Sequence, residues 1–298
     1  MAGIRKKIMW QKNEGGIMQN LLGKIGNTPS ANVDGITVKL EYFNPSGSIK
    51  DRFVFPYLEK LFADGKIAND VEIVEATTGN TGISIAMWAA LRGVRFTAYM
   101  PSNASQERIL IIKGYGAQVV QAPTVGEAVA LKNAHLAREQ KAVTVDQFGN
   151  IHNPLFMQAL GEELLLHKPE VFVAGAGTGG TIIGVARVLK KKLGTKIVVL
   201  EPTQSPMLTD GKPGIHLIEG VGEDFIPDII SRERNLIDEV GLVCENEALD
   251  GMKALWKRGM FVGASSAANL IAAKRYAKDG ARVATLFPDN GYRYFVSR

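Results

Sequence analysis

Strand-like and helix-like segments alternate through most of this 298-residue chain. The segment at 71–75 reads as a strand, and the segment at 82–91 reads as a helix that Gly93 stops. The same order recurs over 95–145 and again over 154–200. Parallel strands need a crossover connection, which a helix usually supplies. The alternation therefore predicts an α/β fold in which helices cover parallel sheets.

A dip in composition at 149–154, Gly-Asn-Ile-His-Asn-Pro, predicts the junction between two doubly wound α/β domains. We expect an N-terminal domain at 37–150 and a C-terminal domain at 151–298, with about 22–36 crossing into the latter. Pro56 falls within the helical pattern after Lys50, which predicts a kinked helix or one that starts late. The irregular stretch at 202–227 is too long for a loop that only connects two elements, and it is expected to line a site.

Composition excludes several classes of protein. Apolar residues make up 46% and charged residues 22%, as in ordinary globular proteins. The net charge of +5 is scattered, which argues against nucleic acid as a partner. Since no apolar run approaches the ~20 residues that span a bilayer, and no signal peptide is recognisable, we expect a cytoplasmic protein. The single cysteine and the spacing of the four histidines predict neither an internal disulfide nor a metal site.

Lys50 lies in the run Asn-Pro-Ser-Gly-Ser-Ile-Lys-Asp-Arg at 44–52. Lysine forms Schiff bases with carbonyl compounds, and a Gly/Ser-rich turn is an unusual place for a solvated charge. An ordinary charged first turn of a helix explains this segment alone equally well. The rest of the chain has to decide between these interpretations.

Three further loops lie at predicted helix N-termini. The loop Thr-Thr-Gly-Asn-Thr-Gly at 77–82 offers hydroxyls, a carboxamide and free N–H groups to a carboxylate or phosphate, although an N-cap is an alternative. The loop at 175–181, Gly-Ala-Gly-Thr-Gly-Gly-Thr, suits a phosphate. With Glu201 it also matches a dinucleotide fingerprint, but that reading leaves Lys50 and the first loop unexplained. The loop at 263–268 offers serine hydroxyls or a simple N-cap.

The ordered set of these motifs, completed by Gly-Val-Gly-Glu-Asp-Phe-Ile-Pro at 220–227, resembles the fold type II pyridoxal-phosphate enzymes. The resemblance is to the cysteine synthase and cystathionine β-synthase family, and it runs from about 25 to 294. It implies two α/β domains with pyridoxal 5′-phosphate in the cleft between them. It also implies a homodimer.

The resemblance assigns a role to each motif residue. Lys50 is expected to form the internal aldimine, Asn80 to bind the phenolic oxygen and Ser265 to meet the pyridine nitrogen. Gly222 is expected to border the bound substrate. The residues expected to surround the 5′-phosphate are Gly177, Thr178, Gly179, Gly180 and Thr181. Those expected to hold the substrate carboxylate are Thr77, Thr78, Thr81 and Gln147.

The implied reaction is β-replacement: an activated serine loses its leaving group through an α-aminoacrylate, and sulfide or a thiol adds to give L-cysteine or a relative. Lys50 would be the general base. Glu219, Glu223 and Asp224 disfavour phosphoserine, so O-acetylserine is the expected donor. The alternatives are a cystathionine β-synthase or a serine/threonine dehydratase on the same fold, and, less favoured, a non-catalytic or NAD-binding protein. The region at 95–121 is expected to close over substrate.

Overall fold

The computed structural model describes residues 20–68, 70–278 and 280–295. Within them, the β-strands are β1 (Ser30–Val33), β2 (Ile36–Leu40), β3 (Glu72–Ala76), β4 (Arg95–Pro101), β5 (Gln118–Ala122), β6 (Ala142–Val143), β7 (Val171–Gly175), β8 (Lys196–Pro202), β9 (Glu239–Val243) and β10 (Val283–Phe287).

The α-helices of the same ranges are α1 (Asp51–Ala63), α2 (Asn80–Arg92), α3 (Gln106–Gly114), α4 (Val125–Arg138), α5 (His152–Leu164), α6 (Gly180–Leu193), α7 (Met207–Asp210), α8 (Asp228–Arg232), α9 (Glu245–Lys257) and α10 (Ala264–Lys274). Short 3-10 helices occur at Glu41–Phe43, Leu165–His167, Arg234–Leu236 and Gly291–Arg293.

The strands form two sheets. The smaller sheet has the order β5-β4-β3-β6 and is parallel throughout. The larger sheet has the order β1-β2-β10-β7-β8-β9, and only the edge strand β1 runs antiparallel to its neighbour. The predicted α/β class with parallel sheets is therefore confirmed. The helix predicted at 82–91 is present as α2, and strands and helices alternate over 95–145 and 154–200 as expected.

β2 pairs in parallel with β10, so the strand that follows the expected crossing segment of about 22–36 also belongs to the larger sheet. The limits of the two domains otherwise stay a prediction. β1, β2 and β9 were not predicted, because each is short and β1 and β9 are half-exposed edges with a weak apolar pattern.

The helix after Lys50 begins immediately, at Asp51, so the expected late start is wrong. Pro56 lies inside this helix, where it cannot donate a hydrogen bond to the carbonyl group of Arg52. Packing compensates for this loss, since Phe53, Phe55 and Leu58 are all fully buried on the helix. Tertiary burial has therefore outweighed a local helix breaker.

A buried ion cluster joins α1 to the larger sheet and α5. Arg52 donates to both carboxylate oxygens of Glu41, at 2.6 and 2.9 Å, and to both of Glu163, at 2.7 and 2.8 Å. Lys39 on β2 pairs with Glu163 at 2.7 Å. Burial alone would raise the pKa of Glu163, but the hydrogen bonds from Arg52 and Lys39 lower it to about 2. Every charge in this cluster has a partner.

Candidate active site

Lys50 is the residue immediately before α1, and the structure anchors the residues around it on both sides. The buried carboxylate of Asp51 accepts hydrogen bonds from the Ser46 backbone N–H at 2.6 Å and from Ser84 Oγ at 2.6 Å. The Ile49 N–H donates to the carbonyl of Pro288, just beyond β10, at 2.9 Å. The Gly/Ser-rich run therefore bridges the two sheets and holds Lys50 at the cleft between them.

The environment of Lys50 favours the neutral amine. Desolvation is the main cause that lowers the pKa of Lys50; Arg108 adds to it, while Glu223 and Asp289 oppose it. The residue is partly exposed because it borders the open cleft. No hydrogen bond or ion pair joins its ammonium to another residue of the described ranges. An unpaired, desolvated lysine is suited to act as a nucleophile and as a base.

The glycine loop between β7 and α6 has no room for a side chain at its glycine positions. A Cβ atom at Gly177 would lie 2.6 Å from the carbonyl oxygen of Gly220, and one at Gly180 would lie 2.0 Å from Asn153 Oδ1. Gly179 has a φ of +84°, which favours glycine. Asn153 Nδ2 also donates to Thr178 Oγ1 at 3.1 Å and so braces the loop. The result is a row of backbone N–H groups at a helix N-terminus, which is a seat for a phosphate.

The loop between β3 and α2 is held by its own threonines. Thr77 Oγ1 accepts from the N–H groups of Gly79, at 3.0 Å, and Gly82, at 3.2 Å. Thr81 Oγ1 donates to Gln147 Oε1 at 2.5 Å, and Gln147 Nε2 donates to the carbonyl of Ala76 at 2.9 Å. Gln147 follows β6, so two strand ends of the smaller sheet bring these groups together. The arrangement can hold a carboxylate.

The predicted residues meet in two adjoining cavities. The first contains about 530 Å³ of unfilled space that is continuous with solvent. The predicted residues that line it are Lys50, Asn80, Gly177, Thr178, Gly179, Thr181 and Ser265. The second, of about 360 Å³, is called the inner cavity below. The predicted residues that line it are Lys50, Thr77, Thr78, Asn80, Thr81, Gln147, Gly177 and Thr178.

Two predicted residues lie outside these cavities. Gly180 is packed behind the phosphate loop against Asn153, so it shapes the loop without lining the space. Gly222 lines a third, more open cavity of about 1090 Å³, called the outer pocket below. Its φ is +69°, and a Cβ atom there would lie 2.6 Å from Pro202 Cδ. Gly222 thus shapes the approach to the site and not its centre.

Sequence reasoning missed the partners of Asn80. Asn80 Nδ2 donates to Asp289 Oδ2 at 2.8 Å, and Arg293 Nη1 donates to Asn80 Oδ1 at 2.8 Å. Both partners are buried. They belong to the C-terminal motif Pro-Asp-Asn-Gly-Tyr-Arg-Tyr. The charged residues of this motif directly follow a buried strand, and this pattern could have identified them from the sequence. An amide nitrogen has two hydrogens, so Asn80 keeps one donor for a ligand.

Arg108 was also missed, and both terminal nitrogens of its guanidinium have partners. It forms an ion pair with Glu219 and donates to Tyr294 Oη at 3.0 Å and to the carbonyl of Thr78 at 3.3 Å. Its guanidinium also lies over the ring of Tyr294, at 5.1 Å from the centroid. Arg108 is on α3, inside the region expected to close over substrate. These contacts tie that region to the opposite wall of the cleft.

Glu223 is the acidic residue at the junction of the inner cavity and the outer pocket, and it lines both. Burial raises the pKa of its carboxyl group to about 7; Lys50 opposes this shift and Asp224 adds to it. The sequence had marked Glu223 only as a source of negative charge. Its position in the same cavity as Lys50 depends on the fold of the loop.

Over residues 20–68, 70–278 and 280–295 no group of three His, Cys, Asp or Glu side chains is arranged to hold a metal ion. No helix of that part of the chain is long and apolar enough to cross a bilayer.

Comparisons with known proteins agree with the geometry. A family model described as pyridoxal-phosphate dependent enzyme matches residues 21–289. Cysteine synthase B of Campylobacter jejuni is 42% identical over 284 residues, which cover 91% of this chain and 94% of that protein.

Two solved structures resemble the fold closely. An O-acetylserine dependent cystathionine β-synthase from Helicobacter pylori superposes with a TM-score of 0.87 at 32% identity, covering 93% of this chain and 97% of the other. A hydrogen sulfide-producing enzyme from Fusobacterium nucleatum gives a TM-score of 0.87 at 34% identity, covering 92% and 99%.

Proposed function

Because this chain belongs to the pyridoxal-phosphate dependent enzymes, we propose that it works as a cysteine synthase. It would replace the β substituent of an activated serine with sulfide to form L-cysteine. One observation carries the proposal: the unpaired Lys50 borders a cavity that also touches the glycine loop and the Thr77–Gly82 loop. The similarity to a curated cysteine synthase supports the same reaction.

The residues of the site fit pyridoxal 5′-phosphate. Glycines whose Cβ atoms would collide with Gly220 and Asn153 leave a shallow seat for the phosphate. Lys50 borders the same cavity and would hold the aldehyde carbon, while Ser265, at the start of α10, would face the ring nitrogen. When bound, the cofactor supplies an electron sink for the amino acid attached to it.

Lys50 would move the α proton of the substrate. Once its nitrogen is free, its lowered pKa leaves a neutral amine that takes the proton from the α carbon and later returns it. The hydroxyl groups of Thr77 and Thr81 and the amide of Gln147 would orient the substrate carboxylate at the N-terminus of α2. Fixing the carboxylate sets which face of the α carbon meets Lys50.

O-acetylserine is the proposed donor. Around the outer pocket, the cation of Arg108 is already paired with Glu219, and Glu223 and Asp224 add negative charge. Among the described residues that line this pocket, the phosphate of phosphoserine would meet no unpaired cation, whereas a neutral acetyl ester meets no repulsion. The Helicobacter pylori neighbour is named for the same donor.

Cystathionine synthesis from O-acetylserine and homocysteine is the second candidate. It is favoured by that same neighbour, and the outer pocket is open to solvent on the side of Glu223 and Asp224, where a larger nucleophile could enter. On the family resemblance we also propose that the protein is a homodimer of the cytoplasm. Light scattering after gel filtration tests the dimer.

A substrate comparison tests the function. Cofactor-loaded protein is given O-acetylserine with sulfide, O-acetylserine with homocysteine, phosphoserine with sulfide, or serine alone. We expect the first pair to have the highest kcat/KM and to yield cysteine and acetate. Preferential turnover of homocysteine would favour the second candidate, and deamination of serine alone would contradict both.

A further inference from the structure

Glu223 is an ionisable group in the cleft to which the reaction described above gives no role. It follows Gly222, whose positive φ turns the loop, and its Oε1 lies 3.4 Å from where a Cβ atom of Gly177 would be. The carboxylate is thus held over the start of the glycine loop. It borders the inner cavity together with Lys50, Thr81 and Gln147.

The groups that face Glu223 leave its carboxylate without a partner. Arg108 shares both of its cavities but is committed to Glu219, Tyr294 and Thr78. His216, on the same side of the outer pocket, is hydrogen-bonded to the carbonyl of Gly222 at 2.8 Å. Within the described residues no hydrogen bond or ion pair reaches the carboxylate of Glu223.

Lys50 and Glu223 both line the inner cavity. Each shifts the pKa of the other by charge, yet they are too far apart to form an ion pair. The gap between them is therefore open to a reacting molecule. Lys50 is on the side of the cofactor seat, whereas Glu223 is on the side of the outer pocket, through which a second substrate would enter.

We propose that Glu223 is a second catalytic residue, which accepts the proton of a neutral sulfur nucleophile as it attacks. This deepens the proposed function and rests on it. The S–H bond breaks as the sulfur bonds to the β carbon that acetate has left, and the proton passes to the Glu223 carboxylate. Lys50 returns its proton to the α carbon. Glu223 then gives its proton to solvent, so that O-acetylserine and H₂S yield cysteine, acetate and one proton.

The environment of Glu223 suits this role. A base is most effective when its pKa lies near the working pH. Burial in the loop brings the pKa of Glu223 to about 7, well above the usual range of a carboxyl group, with Lys50 opposing the shift and Asp224 adding to it. The negative surroundings also favour neutral H₂S or a neutral thiol over an anionic nucleophile such as thiosulfate.

Rapid mixing separates the two half-reactions. Cofactor-loaded wild type, Glu223→Gln, Glu223→Asp and the charge-matched control Asp228→Asn are first mixed with O-acetylserine and then with 2-mercaptoethanol. Asp228 is exposed, on α8, and pairs only with Arg232 among the described residues. The thiol is chosen because its own pKa, like that of other alkyl thiols at about 8.5 or above, does not overlap that of Glu223.

We expect the wild-type rate of thiol addition to rise with pH through about 7 and then level off. Glu223→Gln should lose this rise and react roughly 10²–10⁴-fold more slowly at neutral pH, recovering only as thiolate forms. Glu223→Asp should keep part of the rise, and Asp228→Asn should match wild type. Loss of acetate in the first half-reaction should match wild type in Asp228→Asn, and in Glu223→Gln it should change far less than thiol addition, by the effect of the lost charge on Lys50 alone.

A second measurement needs no turnover. Since the charge of Glu223 raises the pKa of Lys50, Glu223→Gln should shift the pH titration of the visible absorption of the substrate-free holoenzyme to lower pH. An unchanged pH profile of thiol addition, or an equal loss in both half-reactions, would overturn the proposal for Glu223. Failure of wild type to release acetate from O-acetylserine would instead overturn the proposed function.

Discussion

Lys50 and Arg52 are cations two residues apart at the start of α1, and they differ in their partners. Arg52 makes four hydrogen bonds to Glu41 and Glu163. Lys50 has no such partner in the described part of the chain, and desolvation lowers its pKa. A buried charge that is fully paired holds structure together, while an unpaired one is available for chemistry. The start of α1 therefore carries one cation that stabilises the fold and one that is available for catalysis.

Replacing the unpaired cation should have the largest effect on activity. Lys50→Ala removes the amine that would hold the cofactor and move the α proton, so we expect kcat to fall on the order of 10⁴-fold or more. Stability should stay the same or increase, because a desolvated amine is removed. Steady-state kinetics and urea unfolding test both parts. A variant that unfolds easily would contradict the assignment of Lys50 to chemistry.

Replacing the paired cation should lower the stability of the fold. Arg52→Met leaves the carboxylates of Glu41 and Glu163 without their main partner, which should cost about 3–5 kcal/mol of unfolding free energy. The exposed pair of Lys60 and Asp64 provides a control, since Lys60→Met should cost about 1 kcal/mol or less. Denaturant unfolding measures both. Equal losses in the two variants would show that the buried cluster is not structural.

The glycine loop should be sensitive to a single methyl group. The Cβ atom of Gly180→Ala would collide with Asn153, so the loop must shift at a cost of about 1–3 kcal/mol. We expect the affinity for pyridoxal phosphate to fall about 5- to 150-fold. Gly114→Ala, where nothing lies within 4 Å, is the matched control and should bind normally. Fluorescence titration of the cofactor-depleted protein measures the affinity.

The smallest effect concerns the pH dependence of stability. The pKa of Glu163 falls from 4.5 to about 2 on folding, so its stabilising contribution is present above 4.5 and is lost toward pH 2. The pKa of Glu223 rises from 4.5 to about 7, so its contribution is present below 4.5 and is lost as the pH rises through 7. Urea unfolding of the cofactor-depleted protein at a series of pH values measures both effects. Glu163→Gln should abolish the first pH dependence of the unfolding free energy, and Glu223→Gln should abolish the second. Parallel curves for both variants and wild type would contradict the assigned environments.

How much of this the sequence could predict depends on the range of the interactions. Local patterns predicted the α/β class, the glycine loop and the position of Lys50, because strand, turn and helix signals lie within a few residues. The place of β2 in the larger sheet depends on pairing with β10, some 250 residues further along the chain. No local pattern carries that information.

The same limit applies to the site. Thr77, Thr81 and Gln147 were assigned from the family resemblance, and the fold brings them together in the inner cavity. Whether each binds the carboxylate or the cofactor stays a prediction. The partners of Asn80 and the pairing of Arg108 with Glu219 join distant segments. The raised pKa of Glu223 likewise depends on burial and on Lys50, which is distant along the chain, so no local pattern predicts it.

The most direct test of the central claim is to locate the cofactor on the chain. Protein loaded with pyridoxal phosphate is reduced with borohydride and digested, and the modified peptide is identified by mass spectrometry. We expect the pyridoxyl group on Lys50, within the run Ser-Gly-Ser-Ile-Lys-Asp-Arg at 46–52. A stoichiometric label on another lysine, or no label at all, would contradict the assignment of the unpaired cation to catalysis.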